Sequence, residues 1–223
     1  MTMRFVKNCS WLACAIASLL LVSCQSGPPK EHGEFKPADL AELVKLDPTI
    51  RLDIRYAATN NLMHRPKYRQ ARAFLQRPAA EALTRVNQAL KPRGYGLLVF
   101  DGYRPWSVTK AFWDSATQAQ RDIEFVANPR KGSKHNRGCA VDLTLFDLVT
   151  GAEVKTPSVF DEFSERAYPS YQGGSTESRA LRELLRGAME AQGFTVYKAE
   201  WWHFDYKDWP QYRILNIPFE RLN

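Results

Sequence analysis

Residues 133–142 read Ser-Lys-His-Asn-Arg-Gly-Cys-Ala-Val-Asp, a polar segment that turns at Gly138 and then becomes apolar. Glycine permits a tight turn, and the residues over 140–146 alternate as in a strand. Ala140, Asp142 and Thr144 share one face of this strand, and Val141, Leu143 and Leu145 share the other, which we expect to face the core. The segment therefore predicts a strand that carries a carboxylate, preceded by a turn that carries the His135 imidazole.

A second polar group of the same kind follows about sixty residues later, where the chain reads Glu200-Trp-Trp-His203. We interpret the two segments as halves of one zinc site, with His135, Asp142 and His203 as ligands and Glu200 as general base. Two imidazoles and a carboxylate leave one tetrahedral position open for water, as in catalytic zinc sites. A carboxylate beside that position can accept the proton of the attacking water.

A zinc site of this kind requires an irregular backbone between Glu200 and His203. Residues three apart in a regular strand point to opposite faces, so Glu200 and His203 can face one metal only if a bulge, turn or short helical segment separates them. From the residues alone, His135 could equally be a hydrogen-bonded polar residue, and the Trp pair at 201–202 is more typical of core packing.

The remaining patterns predict a mixture of strands and helices. Strands are expected over 50–56, 97–100, 194–197 and 201–206, and helices over 38–46, 78–90, 105–116 and 178–192, with an ordered loop over 155–176. Arg104 follows the strand at 97–100 and precedes a helix, where a side chain can project into a cleft. A guanidinium there suits the oxyanion of amide hydrolysis, although a surface ion pair is the alternative.

The N-terminus has the features of an export signal. Arg4 and Lys7 precede an apolar run over 11–22, which is shorter than the roughly 20 residues of a membrane-spanning helix. The run ends in Leu-Val-Ser-Cys at 21–24, which resembles a bacterial lipobox. We therefore expect a lipoprotein signal peptide over 1–23 and lipidation of Cys24; an ordinary secretory leader is the alternative.

The residues after Cys24 predict how the protein is attached. Residues 24–37 are rich in Gly, Pro and charge and are expected to form a flexible tether. Gln25 is not the aspartate associated with inner-membrane retention, so we expect a lipid anchor at the periplasmic face of the outer membrane. The remaining residues, 38–223, fit one domain.

Composition restricts the partners of that domain. The chain has 223 residues and a formal charge of +7, without a dense basic run interleaved with aromatic residues, so binding to nucleic acid is not expected. Cys139 is the one cysteine of the domain, which excludes an internal disulfide. We expect it to be a buried thiol; approach to the metal is the alternative. No obligate protein partner is indicated.

The motifs together resemble a known family. Ser133-x-His135-x-x-Gly138-x-Ala140-x-Asp142 and Glu200-x-x-His203 are similar to the motifs of zinc D-alanyl-D-alanine peptidases, most closely the dipeptidases of the VanX type. Further similarity lies at Arg55–Asn61, Leu97–Pro105, Ser158–Asp161 and Gly193–Phe194, so the resemblance covers about residues 40–215. It implies an α+β domain with a mainly antiparallel central sheet flanked by helices, as in the Hedgehog and D-Ala-D-Ala peptidase fold.

The resemblance also implies roles for further residues. Arg104 would stabilise the tetrahedral intermediate, and Tyr56, Ser133 and Asp161 would bind substrate, with Asp161 near its free ammonium. Leu62, where the family has an aromatic residue, and Cys139, where serine is frequent, depart from the pattern.

The expected function is that of a lipid-anchored dipeptidase with one zinc per chain, which cleaves D-Ala-D-Ala or a related D,D-dipeptide in cell-wall metabolism. The alternatives are a D,D- or L,D-carboxypeptidase that trims wall peptides, and a non-catalytic zinc lipoprotein that binds the wall.

Overall fold

The computed structural model describes residues 27–61, 63–122 and 125–222. The strands are Leu40–Glu42 (β1), Arg51–Leu52 (β2), Phe74–Gln76 (β3), Tyr95–Asp101 (β4), Ala140–Asp147 (β5), Phe194–Tyr197 (β6) and Glu200–Tyr206 (β7). The helices are Leu43–Leu46 (α1), Arg77–Leu90 (α2), Trp106–Ser115 (α3), Gln118–Asp122 (α4) and Thr176–Glu190 (α5). Short 3-10 helices lie at Arg55–Ala57, Lys91–Arg93, His135–Arg137, Glu165–Ala167, Trp209–Gln211 and Phe219–Arg221.

Five strands form the central sheet in the order β2-β4-β5-β7-β6. The pairs β4–β5, β5–β7 and β6–β7 are antiparallel, and only the short β2 runs parallel to its neighbour β4. A separate pair, β1 and β3, is also antiparallel. Helices α2 and α5 contact each other and the sheet. The predicted α+β domain with a mainly antiparallel sheet is therefore confirmed.

Helix α2 shows how the sequence builds the core. Pro78 lies in its first turn, where its missing N–H needs no partner. Its buried stripe, at helical spacing, consists of Ala79, Ala82, Leu83, Val86 and Leu90. Full burial of each Leu or Val side chain contributes roughly 1.5–3 kcal/mol. After the 3-10 turn that follows α2, Gly94 adopts φ 86°, which glycine tolerates without strain.

The central strand β5 is buried on both faces. Val141, Leu143 and Leu145 lie in the core as predicted, but Ala140, Asp142 and Thr144 are also buried. Part of the cover comes from Phe160, in the predicted loop, whose ring contacts those of Phe100 on β4 and Trp202 on β7. The Asp142 carboxylate therefore lies inside the protein rather than on an open face of the sheet.

Two elements near the N-terminus differ from the prediction. The predicted strand over 50–56 pairs only at Arg51–Leu52 and then turns into a 3-10 helix. The apolar residues Ile50, Ile54 and Tyr56 of this segment are nevertheless all buried, as their spacing predicted. The predicted helix over 38–46 is instead β1 followed by α1, because residues 40–42 pair with β3.

Part of the predicted tether lies against the domain. Glu31 accepts hydrogen bonds from Arg137 Nη2 at 2.6 Å and from the Ile214 backbone N–H at 2.7 Å. The Lys36 backbone N–H donates to Gln211 O at 2.8 Å. Any free tether therefore ends before Glu31.

The predicted signal peptide, Cys24 and Leu62 lie outside the described residues. No helix within 27–61, 63–122 and 125–222 is both long and apolar enough to cross a membrane.

Candidate active site

Three potential metal ligands converge between the two sequence motifs. The ligand atoms of His135, Asp142 and His203 all lie within 4.8 Å of one another. Asp142 and His203 are directly opposed across β5 and β7. His135 Nε2 lies 3.1 Å from His203 Nδ1 and 3.4 Å from Asp142 Oδ2. The two halves that the sequence predicted are thus brought together.

The turn between the motif residues depends on glycine. His135 begins a 3-10 helix that ends at Arg137, and Gly138, which has φ 68°, caps its C-terminus. A Cβ atom at Gly138 would lie 2.6 Å from Leu40 Cδ2 and 3.2 Å from the Gln76 backbone nitrogen. Close packing and the left-handed backbone therefore both favour glycine here.

Strand β7 bulges where the sequence interpretation required it. Val196 pairs with Phe204, but the next residue of β6, Tyr197, pairs with Glu200. The three residues over 201–203 therefore have no partners on β6. As a result Glu200 and His203 line one cavity, with Glu200 Oε2 3.7 Å from His203 Nδ1. The expectation of an irregular strand is confirmed.

Hydrogen bonds fix the orientation of both imidazoles. His135 Nδ1 lies 2.8 Å from Gly102 O, a contact that requires the proton on Nδ1 and leaves Nε2 facing the cluster. His203 is held the other way round, since its Nε2 lies 3.0 Å from Asp205 Oδ1 and its Nδ1 faces the cluster. Asp205 was not predicted from the sequence, although its position two residues after His203 on a strand places both on one face.

Arg104 is a buried residue and not half of a surface ion pair. Its Nε and Nη2 atoms each lie 2.8 Å from Asp101 Oδ2, and Asp101 in turn accepts from the Tyr68 hydroxyl at 2.8 Å. The guanidinium lies over the Tyr56 ring, 5.1 Å from its centroid, and 3.6 Å from Asp142 Oδ2. The guanidinium is thereby fixed at the edge of the cluster of potential metal ligands.

The residues expected to bind substrate lie in the same cavity. The Tyr56 hydroxyl donates to Asp161, with an oxygen–oxygen distance of 3.1 Å to Oδ2. Asp161 has φ 58°, a left-handed conformation that aspartate adopts more readily than most residues other than glycine. Ser133 Oγ accepts from the His135 backbone N–H at 3.2 Å.

All eight predicted residues of the domain line a single cavity of about 320 Å³. They are Tyr56, Arg104, Ser133, His135, Asp142, Asp161, Glu200 and His203. Aromatic residues that the sequence analysis did not assign complete the wall, among them Phe112, Trp113, Phe125 and Tyr197. Trp202 also lines the cavity, whereas Trp201 is buried and donates to Ser158 Oγ at 2.8 Å.

The electrostatics suit a bound cation and a nearby base. Asp142 Oδ1 is buried and has no hydrogen-bond partner among the described residues, although His203 Nδ1 lies 3.0 Å away. Asp142 Oδ1 therefore lacks a partner, and a divalent metal would suit this oxygen together with the imidazole nitrogens beside it. Burial raises the pKa of the Glu200 carboxyl to about 8, which is suited to proton transfer near neutral pH.

Cys139 is not part of this cluster. It is fully buried, and its thiol contacts Arg137 O at 3.7 Å. Burial raises the pKa of the thiol to about 12, so that it stays protonated. The expectation of a buried thiol is confirmed.

Two imidazoles and a carboxylate around an open cavity, with a largely buried carboxyl and a guanidinium beside them, define a metal-dependent hydrolase. The chain belongs to the D-Ala-D-Ala dipeptidase family, peptidase M15, whose sequence profile matches residues 34–220. The protein is therefore a metallopeptidase.

Two D-alanyl-D-alanine dipeptidases agree with this assignment. The chain is 31% identical to the D-alanyl-D-alanine dipeptidase of Escherichia coli (strain K12), over 81% of this chain and 91% of the relative. It is 34% identical to the D-alanyl-D-alanine dipeptidase of Enterococcus faecium, over 72% and 88% of the two chains. Among solved structures, the LD-carboxypeptidase LdcB aligns with a TM-score of 0.46 and 21% identity, over 77% of this chain and 69% of LdcB.

Proposed function

We propose that the protein is a zinc-dependent dipeptidase that hydrolyses D-alanyl-D-alanine, or a related D,D-dipeptide, to free D-amino acids in cell-wall precursor or fragment metabolism. The observation that carries the proposal is the convergence of all eight predicted residues on one cavity. Family membership supports the substrate class, because the relatives above are D-alanyl-D-alanine dipeptidases.

The ligand set supports zinc, with one ion per chain. His135 Nε2, His203 Nδ1 and Asp142 would hold it, and the unpartnered Asp142 Oδ1 is the atom most in need of a cation. A zinc ion in such a site acts as a Lewis acid and lowers the pKa of a bound water toward neutrality.

Glu200 is the general base in this proposal. Its carboxylate accepts a proton from water while the water oxygen attacks the peptide carbonyl carbon. The same carboxyl then gives the proton to the amide nitrogen as the C–N bond breaks, so that the leaving group departs as a neutral amine. Burial raises the pKa of Glu200, which suits its carboxyl to the return of the proton to the leaving amine.

Arg104 supplies positive charge where the carbonyl oxygen becomes negative. The Asp101 carboxylate fixes the guanidinium before substrate arrives, so little reorganisation is needed during the reaction. The Asp161 carboxylate, held by the Tyr56 hydroxyl, would receive the ammonium of the dipeptide. Ser133, beside His135, would bind the substrate chain. A site that reads the ammonium selects a free dipeptide over a longer peptide.

We also propose that Cys24 is lipidated after removal of residues 1–23, and that the domain is anchored at the periplasmic face of the outer membrane. The lipobox-like sequence at 21–24 and Gln25 support this location. Metabolic labelling with a fatty acid tests it: incorporation into the wild-type protein and its loss in Cys24→Ala are expected. Equal labelling of the two proteins would rule the anchor out.

A substrate panel tests the activity. Protein lacking residues 1–26 is incubated with D-Ala-D-Ala, N-acetyl-D-Ala-D-Ala and a wall tripeptide ending in D-Ala, with and without zinc. Rapid release of D-alanine from the free dipeptide alone, lost on chelation and restored by zinc, is expected. Preference for the acylated or longer substrates would favour the carboxypeptidase alternative. Zinc binding without hydrolysis of any substrate would favour a wall-binding protein.

A further inference from the structure

A charged chain of three residues lies behind the proposed metal. His203 Nε2 lies 3.0 Å from Asp205 Oδ1, and Asp205 Oδ2 accepts from Lys134 Nζ at 2.5 Å. The Asp205 side chain is 10% exposed, that of His203 12% and that of Lys134 35%. Asp205 is therefore enclosed, uses both of its oxygens and contacts the imidazole on the side away from the metal cluster.

The backbone places these residues by two independent routes. His203 and Asp205 are two apart on β7 and project to the same side. Asp205 is fixed in the sheet through its pairing with Ala140 on β5 and Thr195 on β6. Lys134 immediately precedes His135 in the first motif, so the Lys134–Asp205 ion pair joins the two motifs without the metal.

The two imidazole ligands have different supports. His135 donates to a backbone carbonyl, that of Gly102, which carries no net charge. His203 meets a carboxylate, which fixes the tautomer and also makes the ring a stronger electron donor. The ammonium of Lys134, held in turn 5.0 Å from the centroid of the Trp209 ring, balances that carboxylate.

We infer that Asp205 is a positioning residue that holds the His203 ring with Nδ1 toward the metal. Lys134 in turn fixes Asp205 in this role. The inference rests on the proposed metal site, which it deepens. Asp205 and Lys134 also line the cavity, but Asp205 is assigned no contact with substrate, because His203 and Lys134 occupy both of its carboxylate oxygens.

Zinc affinity in the absence of substrate tests the inference. Wild-type protein, Asp205→Ala, Asp205→Asn and Lys134→Met are compared by competition with a chromophoric zinc chelator. Asp205→Ala is expected to weaken zinc binding about 10- to 100-fold, the usual effect of removing such a partner. Asp205→Asn retains an oxygen acceptor, so a smaller loss of zinc affinity is expected. The zinc affinity of Lys134→Met should lie between those of the wild type and Asp205→Ala.

A matched ion pair on the surface provides the control. Lys110 Nζ lies 2.6 Å from Asp114 Oδ2 on α3, and both side chains are more than a third exposed. Lys110→Met and Asp114→Asn should leave zinc affinity unchanged. Thermal melts of the metal-free proteins separate loss of folding from loss of affinity.

The visible spectrum of the cobalt-substituted proteins gives a second readout, since the d–d bands report ligand geometry. Altered bands in Asp205→Ala and unaltered bands in Asp114→Asn are expected. Zinc affinity of folded Asp205→Ala within twofold of wild type, with an unchanged cobalt spectrum, would overturn the role of Asp205. Absence of zinc binding by the wild-type protein would instead overturn the metal site itself.

Discussion

Glu200 and His203 face the same cavity from one strand, with Glu200 Oε2 3.7 Å from His203 Nδ1, although they are three positions apart in the chain. The bulge that allows this is anchored by Trp201 and Trp202, each 1% exposed. Base and ligand are therefore held in one rigid unit, in which neither can move far without disturbing the core.

Glu200→Gln keeps the shape of the side chain but removes the base. We expect kcat for D-Ala-D-Ala to fall about 10²- to 10⁴-fold, the usual contribution of general acid–base catalysis. Zinc content should remain near one ion per chain, because Glu200 is not a proposed ligand. Steady-state kinetics with metal analysis checks both. Wild-type kcat in a zinc-loaded variant would exclude the base, and Glu190→Gln on the exposed face of α5 is the control.

Arg104→Lys tests the fixed guanidinium. A lysine retains the charge but cannot hold Asp101 through two nitrogens at once. We expect kcat to fall about 10²- to 10³-fold with a smaller change in KM, because the interaction is strongest with the developing oxyanion. Arg121→Lys, at the wall of the same cavity, is the control for replacing any guanidinium of the cavity by an ammonium. A loss confined to KM would contradict the proposed role.

Asp161→Asn tests recognition of the substrate ammonium. Without the carboxylate, kcat/KM for D-Ala-D-Ala should fall about 10-fold or more, whereas that for the N-acetylated dipeptide should change little. Tyr56→Phe, which removes the hydroxyl contact with Asp161, is expected to have a weaker effect of the same kind. An equal loss on both substrates would show that Asp161 acts on something other than the ammonium.

Gly138→Ala should destabilise the domain more than Gly94→Ala. Both glycines have positive φ, which costs an alanine about 1–2 kcal/mol. A Cβ at Gly94 has no atom within 4 Å, whereas one at Gly138 meets Leu40 Cδ2 at 2.6 Å. Chemical denaturation measures both losses in free energy of unfolding. Equal losses would mean that Leu40 and β3 yield without cost.

The Glu42–Arg72 pair predicts a pH dependence of stability. Two hydrogen bonds of 2.7 Å from the Arg72 guanidinium lower the pKa of Glu42 from its ordinary value of 4.5. The pair therefore stabilises the fold above pH 4.5, and this contribution is lost as the pH falls through the lowered pKa. Glu42→Gln should cost about 1–3 kcal/mol at neutral pH and less in acid.

Denaturation curves from neutral to acidic pH measure this difference. The exposed pair Asp39–Arg77 is the control, and Asp39→Asn should have no measurable effect. A penalty for Glu42→Gln that stays constant as the pH falls would contradict the assignment.

The metal cluster could be predicted because its residues lie in two short motifs of unusual composition, and because alternation along β5 identified the face of Asp142. Asp205 follows the same rule on β7, but the rule alone could not distinguish it from a solvent-facing carboxylate. The role inferred for Asp205 depends on its ion pair with Lys134, 71 residues away in sequence. It depends also on which ring nitrogen of His203 faces the ligand cluster.

Other features were beyond local patterns for the same reason. Ile50, Ile54 and Tyr56 alternate because different neighbours bury them, not because one long strand pairs. The contact of Glu31 with Arg137 joins residues 106 apart, and the segment that contains it has the composition of a flexible linker. Long-range pairing of this kind leaves no periodic trace in the sequence.

The docking of Glu31 onto Arg137 sets a limit on reach. Glu31 lies seven positions after Cys24, and a fully extended chain over seven positions spans roughly 25 Å. With the proposed lipid on Cys24, the catalytic domain could sample only a thin layer above the bilayer and would meet substrates that diffuse close to the lipid surface. Arg137 belongs to the turn between two proposed ligands. The segment that joins Cys24 to the domain is therefore attached close to the proposed zinc site.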